Sequence, residues 1–123
     1  MTPFGAKVRM LRDARGETLK DMAAALSVSP AYLSALEHGK RGNPTWYMVQ
    51  RIIAHFNVIW DEAEELQRLA EMSDPRVTID TAGLDPAATE LANLLARKIS
   101  GLSKKSLEDL ILKVRSAAAR DGV

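Results

Sequence analysis

The stretch Leu19–Leu36, LKDMAAALSVSPAYLSAL, decides how the rest of this chain is read. Thr18 stands just before it with a hydroxyl suited to cap a helix, and Asp21 follows three residues on, where a carboxylate can bond back to the capping residue. Met22, Ala23 and Leu26 then recur at helical spacing. A second start signal comes at Ser29-Pro30: serine is a good N-cap, and proline suits the first helical position, where no backbone donor is needed. Leu33 and Leu36 form the inner stripe of this second helix.

Only Ser27 and Val28 are left to join the two helices, so they must cross steeply, with Val28 as a plug under the corner. That is helix-turn-helix geometry. Ala23 falls where the helices pass closest, and a larger side chain there would hold them apart.

Working outward, Phe4, Val8 and Leu11 share one face of a first helix over about Pro3–Ala14, which Gly16 ends. On the other side, Glu37-His38-Gly39 closes the second helix of the pair, with Gly39 at the position that tolerates a left-handed backbone. Lys40-Arg41-Gly42-Asn43-Pro44 is a turn-rich loop with two cations. Thr45, or less well Asn43, caps a fourth helix whose buried side is expected to be Trp46, Val49, Ile52, Ile53 and Phe56, ending at Asn57. A fifth helix is expected over about Asp61–Met72, its acidic first turn matching the positive end of the helix dipole.

Ser73-Asp74-Pro75 breaks that helix, and the alternation in Arg76–Asp80 allows one short strand. Such a strand must pair with another chain or a loop. Asp85-Pro86 opens a sixth helix with the stripe Ala88, Leu91, Leu95 and Ile99. Ser103 caps a seventh, on which Leu107, Leu110, Ile111 and Val114 make the apolar face. Two such helices have too little between them for a core, so their stripes need the first domain or another subunit. The expected class is therefore all-α: a five-helix domain over 1–73, a linker with the short strand over 74–84, and a helical hairpin over 85–123.

The chain carries 17 basic and 16 acidic residues, a net charge of +1, so its overall charge announces no polyanionic partner. The distribution is uneven. Met1–Arg51 holds eight cations against four carboxylates, a balance of +4, whereas Ile52–Asp74 sets Arg68 against six carboxylates, a balance of −5. Positive charge collects around the helix pair, where it would attract phosphate. The absence of cysteine excludes a disulfide framework and a thiolate metal site. No apolar run approaches the roughly 20 residues of a membrane span, so a cytoplasmic protein is expected. His38 and His55 are not spaced as a metal pair, and no phosphate-cradling loop or nucleophile constellation is present. Neither an enzyme, a cofactor nor a metal is expected.

Leu11-Arg12 through Pro44, with Leu33-Ser34-Ala35-Leu36-Glu37-His38-Gly39 and then Pro44-Thr45, resembles the phage-repressor and Cro-like helix-turn-helix family, the XRE class. The resemblance covers about Phe4–Met72 and leaves the last third unexplained. It implies a transcription regulator whose recognition helix enters the major groove of double-stranded DNA. Carried over by position, Ser29, Ala31, Tyr32, Ser34 and Ala35 would face DNA, and His38 would lie near phosphates. Arg12 and Glu37 would form a supporting ion pair. Lys40 and Arg41 would bind phosphate. Two positions depart from the pattern. Ser27 stands where the family commonly has glycine, and Leu19 replaces a phosphate-binding glutamine, a role that Lys20 could take over.

Selective binding by one small motif is hard, so the resemblance implies a homodimeric repressor on a two-fold-symmetric operator. Val77, Ile79, Leu91, Leu95, Ile99, Leu107, Leu110, Ile111 and Val114 are the candidate dimerisation residues. The same stripes suit a different protein partner, as in an antitoxin or an adaptor whose DNA binding is autoregulatory.

Overall fold

Four helices of the first part of the chain begin on a hydroxyl that accepts a backbone N–H three residues on. Thr2 accepts from Gly5 at 3.0 Å, Thr18 from Asp21 at 3.0 Å, Ser29 from Tyr32 at 3.0 Å and Thr45 from Met48 at 3.2 Å. At Thr18 the Asp21 carboxylate also accepts the Thr18 N–H, completing a capping box. The computed structural model describes residues 1–123. Its elements are α1 (Pro3–Ala14), α2 (Leu19–Ala25), α3 (Pro30–Glu37), α4 (Trp46–Phe56), α5 (Trp60–Glu71), α6 (Pro86–Lys98), a 3-10 turn (Ile99–Gly101) and α7 (Lys104–Asp121). The class is all-α, as the periodicity predicts.

The chain divides into two units, Met1–Val77 and Thr78–Val123. In the first, five helices close around one core: Phe4 and Val8 of α1, Met22 and Ala23 of α2, Leu26, Leu33 and Leu36 at and beyond the corner, Met48, Val49, Ile52 and Phe56 of α4, and Leu66 and Ala70 of α5. The corner between α2 and α3 is built on Ser27, whose backbone is left-handed at φ 57°. That conformation costs a serine roughly 1–2 kcal/mol. It lets the Val28 N–H return to the Ala23 carbonyl at 3.0 Å, and Val28 packs against the core below. Asn57, also left-handed at φ 54°, ends α4.

Polar ties fix the outer helices to this core. Lys7 lies 3.6 Å from Glu62 and 3.7 Å from Glu65, joining α1 to α5. The Phe4 N–H donates to the Ser73 hydroxyl at 3.0 Å, which holds the end of α5 against the start of α1. Arg15 donates to the His55 carbonyl at 2.9 Å, and His55 Nε2 meets both oxygens of Glu17 at 2.9 and 3.0 Å, so the α1–α2 connection is clamped to the end of α4.

Two expectations are corrected. Trp46 is not part of the buried side of α4 but is 74% exposed. It is the first residue of the helix and precedes the turn that meets the core, which Met48 enters instead. No strand forms at Arg76–Asp80. Those residues find no neighbouring edge to bond with, and Val77 and Ile79 are exposed.

In the second unit, Asp85 caps α6 by accepting the Ala87 N–H at 2.8 Å, with Pro86 at the first helical position, and Ser103 caps α7 by accepting from Ser106 at 3.1 Å. Both helices are well terminated, yet no residue of either is buried. Leu91, Leu94, Ile99, Leu110, Ile111, Leu112 and Val114 are exposed. No helix of the chain is long and apolar enough to cross a membrane.

The tightest approach in the first unit is between α1 and the end of α3. A Cβ added to Gly5 would lie 2.0 Å from the Glu37 carbonyl oxygen and 2.7 Å from its carbon. Gly5→Ala should therefore lower the unfolding free energy by about 3 kcal/mol, the upper end of what overpacking costs, despite alanine's better helix propensity. Urea denaturation measures this, and a midpoint equal to that of the parent chain would mean that α1 and α3 can part freely.

Candidate nucleic-acid interface

Helix α3 has two different ends. Leu33, Leu36 and Glu37 are buried, whereas Ser29, Pro30 and Ala31 are exposed, and Tyr32, Ser34 and Ala35 are half-buried. The amino-terminal end and the outer side of α3 thus offer solvent a hydroxyl cap, a methyl, an aromatic ring and part of Ser34. The carboxy-terminal end is held by α1. The Glu37 carbonyl accepts the Thr2 N–H at 3.0 Å and the Thr2 hydroxyl at 3.1 Å. Its side chain is paired with the Arg12 guanidinium, and both groups are buried.

Burial pushes the Glu37 carboxyl above its ordinary value of 4.5, while the hydrogen bond and charge of Arg12 pull it back down. The pair satisfies both groups, but it stabilises chiefly by contrast with what either would cost alone.

His38 caps the end of α3, and its Nδ1 lies 2.9 Å from the Ser34 carbonyl oxygen. A carbonyl only accepts, so Nδ1 carries the proton and Nε2 is the nitrogen left for an outside partner. A groove of about 700 Å³ beside it is lined by Met1, Arg9, Arg12, Thr18, Leu19, Ser34, Glu37 and His38, among others. Arg9 is thus brought to the same groove as Ser34 and His38. The sequence gives no signal for this, because Arg9 reads as one more charge on the solvated side of α1.

After α3 the chain turns at Gly39, φ 74°, where a Cβ would meet the Thr2 methyl at 2.6 Å. The Lys40 N–H returns to the Ala35 carbonyl at 3.0 Å, and the Gly42 N–H to the Gly39 carbonyl at 3.1 Å. Lys40 and Arg41 are exposed on this pinned turn, and the Arg41 guanidinium carbon lies 4.8 Å from the centre of the Tyr32 ring. Lys20 is exposed on the first turn of α2. Leu19 is half-buried against the core and has no polar group to offer.

The residues singled out from sequence therefore fall into three settings. Ser29, Ala31, Tyr32, Ser34, Ala35 and His38 lie along α3 and its cap, Lys40 and Arg41 follow directly, and Lys20 stands on the preceding helix. Arg12 and Glu37 are beneath them. Val77, Ile79, Leu91, Leu95, Ile99, Leu107, Leu110, Ile111 and Val114 belong to the segments from Val77 onward, where Leu95 and Leu107 are half-buried and the others exposed. No group of three or more His, Cys, Asp or Glu side chains converges in a way that could hold a metal ion.

Residues 3–67 match the model of a family described as a helix-turn-helix domain. The chain belongs to that family. It is also similar to the uncharacterized HTH-type transcriptional regulator RghRB of Bacillus subtilis (strain 168), with 28% identity over 121 residues, covering 89% of this chain and 87% of that protein. No solved structure matches it.

The buried pair beneath the helix-turn-helix is open to a direct test. Arg12→Met strands the Glu37 carboxylate and should cost about 3–5 kcal/mol at neutral pH, while the double variant Arg12→Met/Glu37→Met should recover most of that loss. The sign with pH follows from Glu37 titrating higher when folded. The folded state holds the proton more tightly than the unfolded chain, so the stability linked to this group is full below 4.5 and is lost as pH rises through the folded value. The deficit of the single variant should therefore shrink on acidification from neutrality. A deficit that does not change with pH in urea titrations would mean that the stranded carboxylate is not its source.

Proposed function

We propose that this chain is a DNA-binding transcription regulator of the phage-repressor and Cro-like, or XRE, class, acting as a homodimeric repressor on a two-fold-symmetric operator. The observation that carries the reading is the asymmetry of α3, whose carboxy-terminal end is anchored and whose amino-terminal end projects Ser29, Ala31 and Tyr32. In helix-turn-helix proteins the amino-terminal residues of the second helix meet base edges while the first helix crosses the backbone. Family membership and the resemblance of Leu33–Gly39 to an XRE recognition helix support the same assignment.

Each group then has a defined task. Lys20, Lys40 and Arg9 contribute attraction to phosphate and hence salt dependence, and His38 stands near the same phosphates at the end of α3. Ser29 and Ser34 donate to a base edge or a phosphate, and the methyls of Ala31 and Ala35 make room for a thymine methyl. A side of α3 made of hydroxyls and methyls reads few bases directly, so part of the selectivity rests on DNA shape and on half-site spacing.

Spacing requires two copies, and the second unit supports that role because its stripes lack any buried position. Leu91, Leu95, Ile99, Leu107, Leu110, Ile111 and Val114 gain cover only from outside α6 and α7 themselves. A partner protein of another kind, as in an antitoxin or an adaptor, would satisfy the same stripes.

Removing the residues after Val77 tests the reading, since the first unit keeps its whole core. Light scattering should give a dimer for the full chain and a folded monomer for the truncated one. Affinity for a site selected from genomic fragments should fall by roughly 10²–10⁴, the range expected when two linked sites become one. Equal affinity of the two forms would overturn the dimer. A full chain that dimerises only when co-expressed with a neighbouring gene product would favour the adaptor.

A further inference from the structure

We infer that Arg41 is a base reader and not a phosphate contact: it takes the major-groove edge of a guanine, aimed by the Tyr32 ring over which it lies. This rests on the DNA-reading role proposed above and adds the one bidentate donor that α3 itself lacks.

Arg15 and Arg51 also lie over aromatic rings, Phe56 at 5.4 Å and Tyr47 at 5.8 Å, but their donors are already engaged. Arg12 is spent on Glu37, Arg15 on the His55 carbonyl at 2.9 Å, and Arg51 on the Leu26 carbonyl. None of the chain's ion pairs involves Arg41. Its contact is with the Tyr32 ring, at 4.8 Å from guanidinium carbon to ring centre. A guanidinium held over a ring by cation–π attraction spends no N–H on an oxygen or nitrogen there, so its planar fork stays available to a base.

Both partners in this contact are held. Tyr32 packs against the hydrophobic core, and its N–H is bonded to the Ser29 hydroxyl at 3.0 Å. The turn that carries Arg41 is closed by the Lys40 and Gly42 N–H groups at 3.0 and 3.1 Å. A side chain that only needs to find phosphate gains little from such fixing, because attraction to the backbone works from many positions. A side chain that must match two acceptors in one plane gains a great deal, since less rotamer freedom is lost on binding.

The chemistry of the target follows from the fork. Guanine offers O6 and N7 as adjacent acceptors in the major groove, the pattern that an arginine edge matches with two hydrogen bonds. Tyr32 is the third residue of α3, in the half that meets base edges in helix-turn-helix proteins. The neighbouring Lys40 has a point charge and no fork, so it is left to phosphate.

The test begins with a binding site selected by the full-length protein from random duplex DNA, followed by competition titrations with every single-base replacement. Replacing one guanine in each half-site should weaken binding roughly 10-fold or more. Arg41→Met removes the donors, so it should abolish that preference while leaving the salt dependence of binding nearly unchanged, as expected for a side chain that touches no phosphate. Tyr32→Leu should abolish the same preference by removing the platform. Arg41→Met binding with the guanine preference intact, or with a flattened salt dependence, would overturn the assignment, as would a selected site with no guanine-dependent position. A parent chain that selects no sequence at all would strike down the DNA-reading role as well, so the two failures are distinct.

Discussion

The last residue of α3 carries the constraint on which the first unit depends. The Glu37 backbone carbonyl accepts two hydrogen bonds from Thr2, its carboxylate is buried against Arg12, and Gly5 passes so close that no Cβ fits between. Three different interactions thus fasten the same point of α3 to α1. A buried charge is costly to leave unpaired, and a contact at this distance tolerates no added atom, so the crossing of α1 and α3 has little room to vary. With its far end fixed, the helix presents Ser29, Ala31 and Tyr32 in one orientation. In the proposed regulator, rigid support of this kind would let a short helix of few polar groups serve as a reading head.

Much of this was legible in the chain because it is written in local chemistry. Thr18, Ser29 and Thr45 cap helices for reasons that involve only neighbouring residues, and Gly39 and Asn57 end helices in left-handed conformations that suit them. The two-residue corner left no alternative to a steep crossing, and Ser27 adopts the left-handed backbone that the corner demands, without glycine's freedom. What was not legible depends on tertiary placement. Trp46 is apolar and in helical register, yet it sits one turn too early to reach the core. The alternation at Arg76–Asp80 is a strand pattern with no edge to join. Gly5 carries no periodic signal at all, because its requirement is set by a carbonyl 32 residues away. The placing of Arg41 over the Tyr32 ring likewise joins two residues that the sequence reads separately, as a phosphate contact and as a DNA-facing side chain.

The two units divide the physical work differently. The first has a closed core to which each of its five helices contributes, and apart from the buried Arg12 its surface holds the cations that the sequence concentrates before Ile52. The second consists of capped helices whose apolar residues bury nothing completely. Capping and helix propensity sustain only marginal helices in water, and most helical stability comes from packing an apolar face. In the proposed regulator, a first unit with its own core would read DNA, and the exposed stripes of α6 and α7 would be covered by a second copy, which suits a protein that gains selectivity by pairing.

The central claim is that two such reading heads act together on one two-fold-symmetric site. Hydroxyl-radical footprinting of the full-length protein on its selected DNA tests this most directly. Two protected patches related by symmetry are expected, with centres about 10 base pairs or a multiple of that apart. One isolated patch, or protection without symmetry, would contradict it.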